Sequence, residues 1–347
     1  MNRWIRRLIL VAVGIAFFNI GPTAHGADLY RLVISVDWEG EEINERDIRE
    51  IEKFRARHPE VKLVHFFNAA YYTMPGANAA EINAKVRRVI LPQDEVGLHI
   101  HGWQDLFEAA FAAKGLTDSR YISTNGWSTG EPTPGLRAGH DIPIEQYSVV
   151  ELEAVISYSL EILRRNGFTY PITSFRAGGW QAGPNVLAAI ERQGFTIDSS
   201  ATVPELLRAR VGDGPLFQKA NALWGPGARN IELATREFTL PGTNLVEMPG
   251  VLFADYVGDN YIRAYVDTLI RDARKNPPGE PLTIHLAFHS ETAYFFLDRI
   301  AGMLAILKTE YIDQNRIRLT PEILKSRTPS NVGGANTACR AVLAARI

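Results

Sequence analysis

The sequence predicts an α/β fold in which a parallel sheet or barrel is wrapped by helices. From Leu32 onward, short apolar runs alternate with longer segments of helical periodicity, which is the pattern of repeated strand–helix units. The composition agrees, because 347 residues with 46% hydrophobic and 22% charged side chains can bury a substantial core. We therefore expect one folded domain over residues 27–325, followed by a flexible tail over residues 326–347.

Seven β-rich apolar runs are the predicted strands, and in a parallel β/α architecture the functional residues lie where such strands end. The runs are Leu32–Val36, Lys62–Phe67, Val96–Ile100, Ile172–Phe175, Phe195–Ile197, Leu245–Met248 and Leu282–Phe288.

Helix signals separate several of these runs. Ser148 with Glu151 forms a capping box that starts a helix ending at Asn166. Pro184 predicts the start of the next helix, and two more are predicted over Tyr261–Arg274 and Tyr294–Lys308. Two longer connections, Lys114–Gln146 and Gly212–Asn244, are rich in glycine, proline and polar residues and are predicted to be functional loops.

Charge and cysteine content exclude several classes of function. The net charge is −2, and no Lys/Arg cluster follows the first seven residues, so nucleic acid is not an expected partner. The single cysteine, Cys339, cannot form an internal disulfide, which excludes disulfide scaffolds, zinc ribbons and paired-thiol redox sites.

Residues 1–26 have the layout of a secretory signal peptide. Three arginines precede an apolar run over Leu8–Ile20, and Ala24-His25-Gly26 supplies a small-residue cleavage pattern. The alternative is a membrane anchor, but this run is shorter than the roughly 20 residues needed to span a bilayer. We expect a periplasmic or secreted protein without stable membrane insertion after the signal is removed.

Acidic and imidazole side chains gather at the ends of predicted strands. Asp37 and Glu39 follow the first run at i and i+2, so an extended backbone would point both to one face; solvated loop acids are the alternative. His99 and His101 repeat this spacing at the third run, roughly 7 Å apart along the strand. Two imidazoles and a carboxylate with an open position suit zinc or a related divalent ion.

Other strand ends add single polar residues. Arg176 follows the fourth run, Asp198 the fifth, and His289 the seventh. His285 lies about 13 Å from His289 by strand rise and is predicted to be a buried histidine outside the chemistry. Flat aromatic faces for sugar rings could come from tryptophans near the strand ends, with core packing as the alternative; the candidates are Trp103, Trp127 and Trp180.

Taken together, these residues resemble a divergent branch of the NodB-type polysaccharide deacetylases, the fourth carbohydrate esterase family, over Leu32–Leu324. The resemblance implies a single-domain, distorted (β/α)7 barrel. It also implies a metal-dependent hydrolase that removes N-acetyl groups from an acetylated polysaccharide or oligosaccharide.

The family's motifs imply roles for individual residues. Asp37 corresponds to the base and Arg176 to the arginine that orients it, while Asp198 corresponds to the acid that holds the catalytic histidine, His289. Glu39, His99 and His101 correspond to the metal ligands. The chain departs from the family where Trp38 separates the two acids and where the second imidazole comes at i+2, the later family position being Trp103.

Three functions are consistent with this pattern. A metal-dependent deacetylase explains both the acids and the histidines. A metal-independent glycoside hydrolase needs only two carboxylates and leaves the histidine pair unexplained. A catalytically inactive carbohydrate-binding module of the same fold is compatible with the altered motifs. The sugar, the type of acetyl linkage and the assignment of Asp37 and Glu39 as base and ligand stay open at this point.

Overall fold

A computed structural model describes residues 28–122 and 143–324 of the chain. The predicted signal peptide, Trp127, and the tail with Cys339 lie outside the described residues. No helix within the described ranges is both long and apolar enough to cross a membrane.

The described residues form one sheet of ten strands, and every neighbouring pair is parallel except β6 and β7. The strands are β1 Asp28–Asp37, β2 Leu63–Asn68, β3 Glu95–Ile100, β4 Ser174–Ala177, β5 Ile197–Asp198, β6 Phe238–Thr239, β7 Val246–Glu247, β8 Leu252–Phe253, β9 Leu282–His289 and β10 Ile317–Pro321.

The strand order is β6-β7-β5-β4-β3-β2-β1-β9-β8, and β10 pairs with the first half of β1. Within the described residues the order ends at β6 and β8, so the barrel is open rather than closed. The predicted α/β class with a distorted parallel barrel agrees with this topology.

Nine α-helices lie between the strands of the described part: α1 Glu45–Arg57, α2 Ala79–Val86, α3 Gln104–Lys114, α4 Val149–Arg165, α5 Pro184–Arg192, α6 Pro204–Val211, α7 Pro215–Trp224, α8 Tyr261–Lys275 and α9 Ala293–Ile306. The capping box is present at the start of α4, where Ser148 and Glu151 bond reciprocally. Pro184 is the first residue of α5, as predicted.

Three sequence predictions about the elements need correction. The connection Gly212–Asn244 is not a loop, because it contains α7 and β6. The α-helical part of α9 ends at Ile306, and a π-helical turn follows over Leu307–Ile312. The sequence also missed three strands, β6, β8 and β10. β6 and β8 have two residues each, so they show no periodicity and form only by pairing with their neighbours.

Burial and register explain how the sheet positions polar residues. Every residue of β2 and of β3 is buried, as expected for strands covered on both faces. Asp37 is in register with His289 across β1 and β9, and His99 is in register with Arg176 across β3 and β4. Because parallel strands end at the same edge, these side chains meet at one rim of the sheet.

Candidate metal centre

Glu39, His99 and His101 come together at the carboxyl ends of β1 and β3. One ligand atom from each lies within 4.8 Å of the other two. Glu39 Oε2 is 2.5 Å from His101 Nε2, and Glu39 Oε1 is 3.9 Å from His99 Nε2. The structure therefore places the three predicted ligands where they can bind a single ion.

The orientation of His99 suits a metal ligand. Its Nδ1 donates to the backbone carbonyl of Arg176 at 2.8 Å, so Nε2 carries the lone pair that faces Glu39. Among the described residues, the buried Nε2 of His99 has no hydrogen-bond partner. A bond from the second ring nitrogen to a carbonyl is the usual way that a protein fixes the tautomer of a ligating histidine.

Close packing fixes the ring of His101. A Cβ atom built on Gly178, which follows β4, would lie only 2.6 Å from His101 Cγ. Glycine at this position allows the β4 loop to approach the imidazole, and any larger residue would displace it.

The backbone of Glu39 is bonded on both sides. Its N–H donates to Glu291 Oε1 at 3.0 Å, and its carbonyl accepts from Asn68 Nδ2 at 2.9 Å and from Trp103 Nε1 at 2.6 Å. Gly40 follows with φ +95°, a conformation that favours glycine. These contacts hold the turn after β1 so that the Glu39 carboxylate faces the two histidines.

Arg176 is bonded to Asp37, the pairing that the motif resemblance implies. Its Nη1 donates to Asp37 Oδ1 at 2.6 Å and to Ser35 Oγ at 2.9 Å, and the whole guanidinium is buried. Nε donates to the Ser199 carbonyl, and Nη2 to the Ser199 hydroxyl. His285 is buried beside this network, with its Nε2 3.0 Å from Ser35 Oγ, and burial holds its pKa well below the ordinary value.

His289 lies between two carboxylates. Its Nδ1 is 2.9 Å from Asp255 Oδ2, and its Nε2 is 3.3 Å from Glu39 Oε1. Burial would lower the pKa of His289, but the charge and hydrogen bond of Asp255, with the charges of Glu39 and Asp37, raise it to about 10. The imidazole is therefore held protonated with a donor directed into the site.

The sequence prediction that Asp198 holds His289 is wrong, because Asp255 occupies that place. Asp198 Oδ1 instead accepts from Ser200 Oγ at 2.5 Å, and its carboxyl group hydrogen-bonds with that of Glu247. The order of the strands in the sheet explains the error. Asp198 is on β5, which lies four strands from β1 and five from β9, whereas β8, which leads to Asp255, pairs directly with β9.

Asp198 and Glu247 form a fully buried carboxyl pair. Glu247 Oε1 accepts from the Ala201 N–H at 2.9 Å. Burial, followed by the nearby charge of Asp198, raises the pKa of Glu247 well above its ordinary value. A hydrogen bond between two carboxyl groups needs one proton, and the raised pKa values of Asp198 and Glu247 mean that the pair keeps one.

Trp103 and Trp180 do not offer faces to a sugar, so core packing is what the structure shows. Their exposed fractions are 1% and 4%. Trp103 bonds the Glu39 carbonyl, and Trp180 packs edge-on against Phe253 with ring centroids 5.0 Å apart. Phe253 in turn stacks on His289, with ring centroids 5.7 Å apart, so Trp180 contacts the site indirectly, through Phe253.

Sequence reasoning missed two acidic residues of this rim. Asp255 follows the short apolar run that becomes β8, and a carboxylate after an apolar run was the available signal. Glu291 follows His289 by two residues and bonds Tyr71 Oη, Ser290 Oγ and the Glu39 N–H. Burial and the charge of Glu39 raise the pKa of Glu291 to about 7.

The rim therefore combines three kinds of chemical group. Two imidazoles and a carboxylate can hold a divalent ion, a second carboxylate is oriented by an arginine, and an imidazolium is oriented by an aspartate. This set can bind a metal, accept a proton from water and donate a proton to a leaving group.

No family model and no curated protein matches the chain. Among solved structures, the chain is similar to a protein from Mycobacterium smegmatis assigned as a polysaccharide deacetylase, at 12% identity and a TM-score of 0.46, over 85% of this chain and 87% of that one. It is similar to a family 4 carbohydrate esterase from Streptomyces lividans, at 9% identity and a TM-score of 0.38, over 86% and 93%. A 4-alpha-glucanotransferase from Thermococcus litoralis shares 8% identity at a TM-score of 0.38, over 84% and 37%. These values describe a remote likeness, and the function is argued below from the atoms of the rim.

Proposed function

We propose that this chain is a metal-dependent hydrolase that removes N-acetyl groups from a polysaccharide or oligosaccharide. The convergence of Glu39, His99 and His101 within 4.8 Å is the observation that carries the proposal. The pairs Asp37–Arg176 and His289–Asp255 lie at the same rim and supply the remaining groups that amide hydrolysis needs.

A divalent ion, with zinc as the proposed metal, fits these residues. His99 Nε2 is buried, and its lone pair faces Glu39 without a hydrogen-bond partner in the described part of the chain. Leaving such a polar atom unpaired is costly, and a cation bound there would satisfy it. His99, His101 and Glu39 would hold the ion. When bound there, such an ion lowers the pKa of water and polarises an acetyl carbonyl.

Asp37 is the proposed general base. Arg176 donates to its Oδ1 at 2.6 Å, which leaves Oδ2 to accept a proton from the attacking water. The same bond fixes the carboxylate in position, and the additional bonds of Arg176 to Ser199 keep the guanidinium from moving. Since Glu39 faces the two histidines, the ligand role falls to Glu39.

His289 is the proposed general acid. Asp255 orients the ring through Nδ1, so Nε2 points toward Glu39 and the centre of the site. Breakage of an amide requires a proton on the departing nitrogen, and Nε2 is the donor placed to supply it. The sugar amine then leaves as a neutral group.

The substrate and the location are part of the same proposal. An N-acetylated glycan follows from the motif resemblance, and export to the periplasm or outside follows from the layout of residues 1–26. Both are open to direct test.

Metal content and acetate release test the proposal together. Purified protein is analysed for bound metals, and acetate release from N-acetylated oligosaccharides is measured before and after chelation and after adding back zinc. We expect a stoichiometric divalent metal and activity that chelation abolishes and zinc restores. Glycosidic cleavage that is insensitive to the chelator, or glycan binding by metal-loaded protein without acetate release, would contradict it.

Matched variants separate the metal site from a general loss of folding. His99→Ala is expected to lose both metal and activity. His58→Ala alters a histidine at the C-terminal end of α1, at the opposite rim of the sheet, and is expected to keep both. Equal metal content in the two variants would remove the basis of the proposed site.

A further inference from the structure

The start of α9 presents an exposed aromatic pair at the same edge of the sheet as the metal centre. Tyr294 is 49% exposed and Phe295 is 60% exposed, with ring centroids 5.1 Å apart at 86°. The guanidinium of Arg46 lies 4.2 Å from the Tyr294 ring centre and 4.8 Å from that of Phe295. We call Arg46, Tyr294 and Phe295 the rim platform.

The rim platform is connected to the metal centre through β9 and β1, two adjacent strands that lead into α9 and α1. Tyr294 follows Glu291 by only three residues, where the 3-10 turn Ser290–Thr292 joins α9. Glu291 Oε1 in turn bonds the Glu39 N–H at 3.0 Å. Tyr294 is therefore three residues from a side chain that bonds the turn carrying a proposed metal ligand.

The second connection runs through α1. This helix begins six residues after Glu39, and its first turn contains Arg46 and Asp47. Asp47 Oδ1 accepts from the Tyr294 N–H at 2.8 Å, so the start of α9 is attached to the start of α1. Both helices start at the carboxyl edge of the sheet, on the side where Asp37 and His289 are in register.

The chemistry of the platform matches a sugar ring. Flat aromatic faces bind the C–H surface of a pyranose, and an arginine beside them can donate to ring hydroxyls and carboxylates. Two aromatic side chains cover at most about 500 Å², which is half of the roughly 1,000 Å² that a specific protein interface needs. The other exposed large apolar side chains among the described residues lie on separate segments; they are Leu29, Val150, Tyr170, Tyr261 and Ile312.

From these observations we propose that the rim platform is a subsite for a sugar unit of the same glycan, next to the acetylated unit at the metal centre. The inference rests on the proposed function and adds to it a chain-length preference. Glycans long enough to reach the platform gain a stacking contact, whereas a single acetylated sugar does not. Trp103 and Trp180, two of the tryptophans that the sequence offered for this purpose, are buried, whereas Tyr294 and Phe295 are exposed.

Chain-length kinetics test the subsite. The value of kcat/KM for acetate release is measured on N-acetylated oligosaccharides of increasing length, from the monosaccharide upward, with wild-type protein and with the double variant Tyr294→Ala/Phe295→Ala. We expect a loss between about twofold and about tenfold on long substrates, the range typical of one aromatic contact. The shortest substrate should be turned over at the wild-type rate.

Tyr170→Ala is the matched control. Tyr170 is 42% exposed and precedes β4, so it lies at the opposite edge of the sheet. It is expected to behave as wild type at every length. An equal loss on short and long substrates, no loss on any, or the same loss in Tyr170→Ala would overturn the subsite. Phe295→Ala alone replaces the double variant if that variant has a lowered Tm.

A binding measurement distinguishes failure of the subsite from failure of the proposed function. Oligosaccharide affinity is titrated by calorimetry with metal-loaded wild type and with the double variant. If the wild type binds glycan but releases no acetate, the proposed function fails while weaker binding by the double variant still supports the subsite. Equal affinity of both proteins, or no glycan binding by either, overturns the subsite.

Discussion

Asp255 and Asp198 provide a direct comparison. The motif resemblance assigned Asp198 to hold His289, and the structure places Asp255 there instead. In Asp255→Asn, the carboxylate that faces His289 Nδ1 at 2.9 Å becomes a neutral amide. The amide oxygen can replace Oδ2, which accepts from the His289 backbone N–H. The amide NH2 can replace Oδ1 and donate to Thr292 Oγ1, whose hydroxyl then donates to the His289 carbonyl, so we expect the local backbone to stay in place.

The expected loss is catalytic. Without the carboxylate, the imidazole is no longer held in the protonated form and orientation that direct Nε2 into the site. A positioned general acid contributes about 10²- to 10⁴-fold in rate, and the neutral amide removes most of it. We expect kcat/KM to fall by most of that factor. At about 1.36 kcal/mol for each tenfold change, the fall corresponds to a loss of about 3 to 5 kcal/mol of transition-state stabilisation.

The assay is acetate release by metal-loaded protein, with metal content measured on the same samples. Asp198→Asn is the control, because its side chain bonds Ser200 and Glu247 rather than His289. We expect it to keep activity within several-fold of wild type, as for residues outside the reacting groups. Loss in Asp198→Asn that equals the loss in Asp255→Asn, at unchanged Tm, would refute the assignment of Asp255.

Two further predictions concern the support of the site. Gly178→Ala should displace the His101 ring, because the new Cβ would lie 2.6 Å from His101 Cγ. We expect metal affinity, measured by competition with a chromogenic chelator, to fall by about 10- to 100-fold. Gly227→Ala is the control, because a Cβ there would have no atom within 4 Å, and it should leave metal affinity unchanged. Glu247→Gln should abolish a loss of stability that the wild type shows as pH rises above the ordinary pKa of a glutamate. The folded-state pKa of Glu247 is raised, so its stabilising contribution is present below its ordinary pKa and is lost as pH rises through the raised value, at up to about 1.4 kcal/mol per pH unit. Urea unfolding measured upward from the ordinary glutamate pKa of about 4.3 tests this, and identical pH profiles for wild type and Glu247→Gln would contradict the protonated pair with Asp198.

Local sequence was sufficient for the strongest elements. The apolar runs that became β1, β2, β3 and β9 have enough residues to show their character, and the capping box of α4 is a contact between residues three positions apart. The two-residue strands β6 and β8 were missed because such a strand exists only through its partners, whereas β5 and β7 overlap apolar runs that were predicted.

For the site, the sequence determined the residues at the ends of long strands. Glu39, His99 and His101 follow β1 or lie at the end of β3, and parallel strands end at one edge, so their meeting was predictable from spacing. The bond between Arg176 and Asp37 was implied by the motif resemblance alone, since β3 and β2 lie between β4 and β1 in the sheet.

The tertiary structure alone decided which acid supports His289. Asp198 and Asp255 both follow short strands, and nothing local distinguishes them. Strand order places β8 beside β9 and places β5 far from it, so Asp255 reaches the imidazole and Asp198 pairs with Glu247 instead. Side-chain exposure was decided in the same way, because whether an aromatic ring is buried depends on what packs over it from elsewhere in the chain.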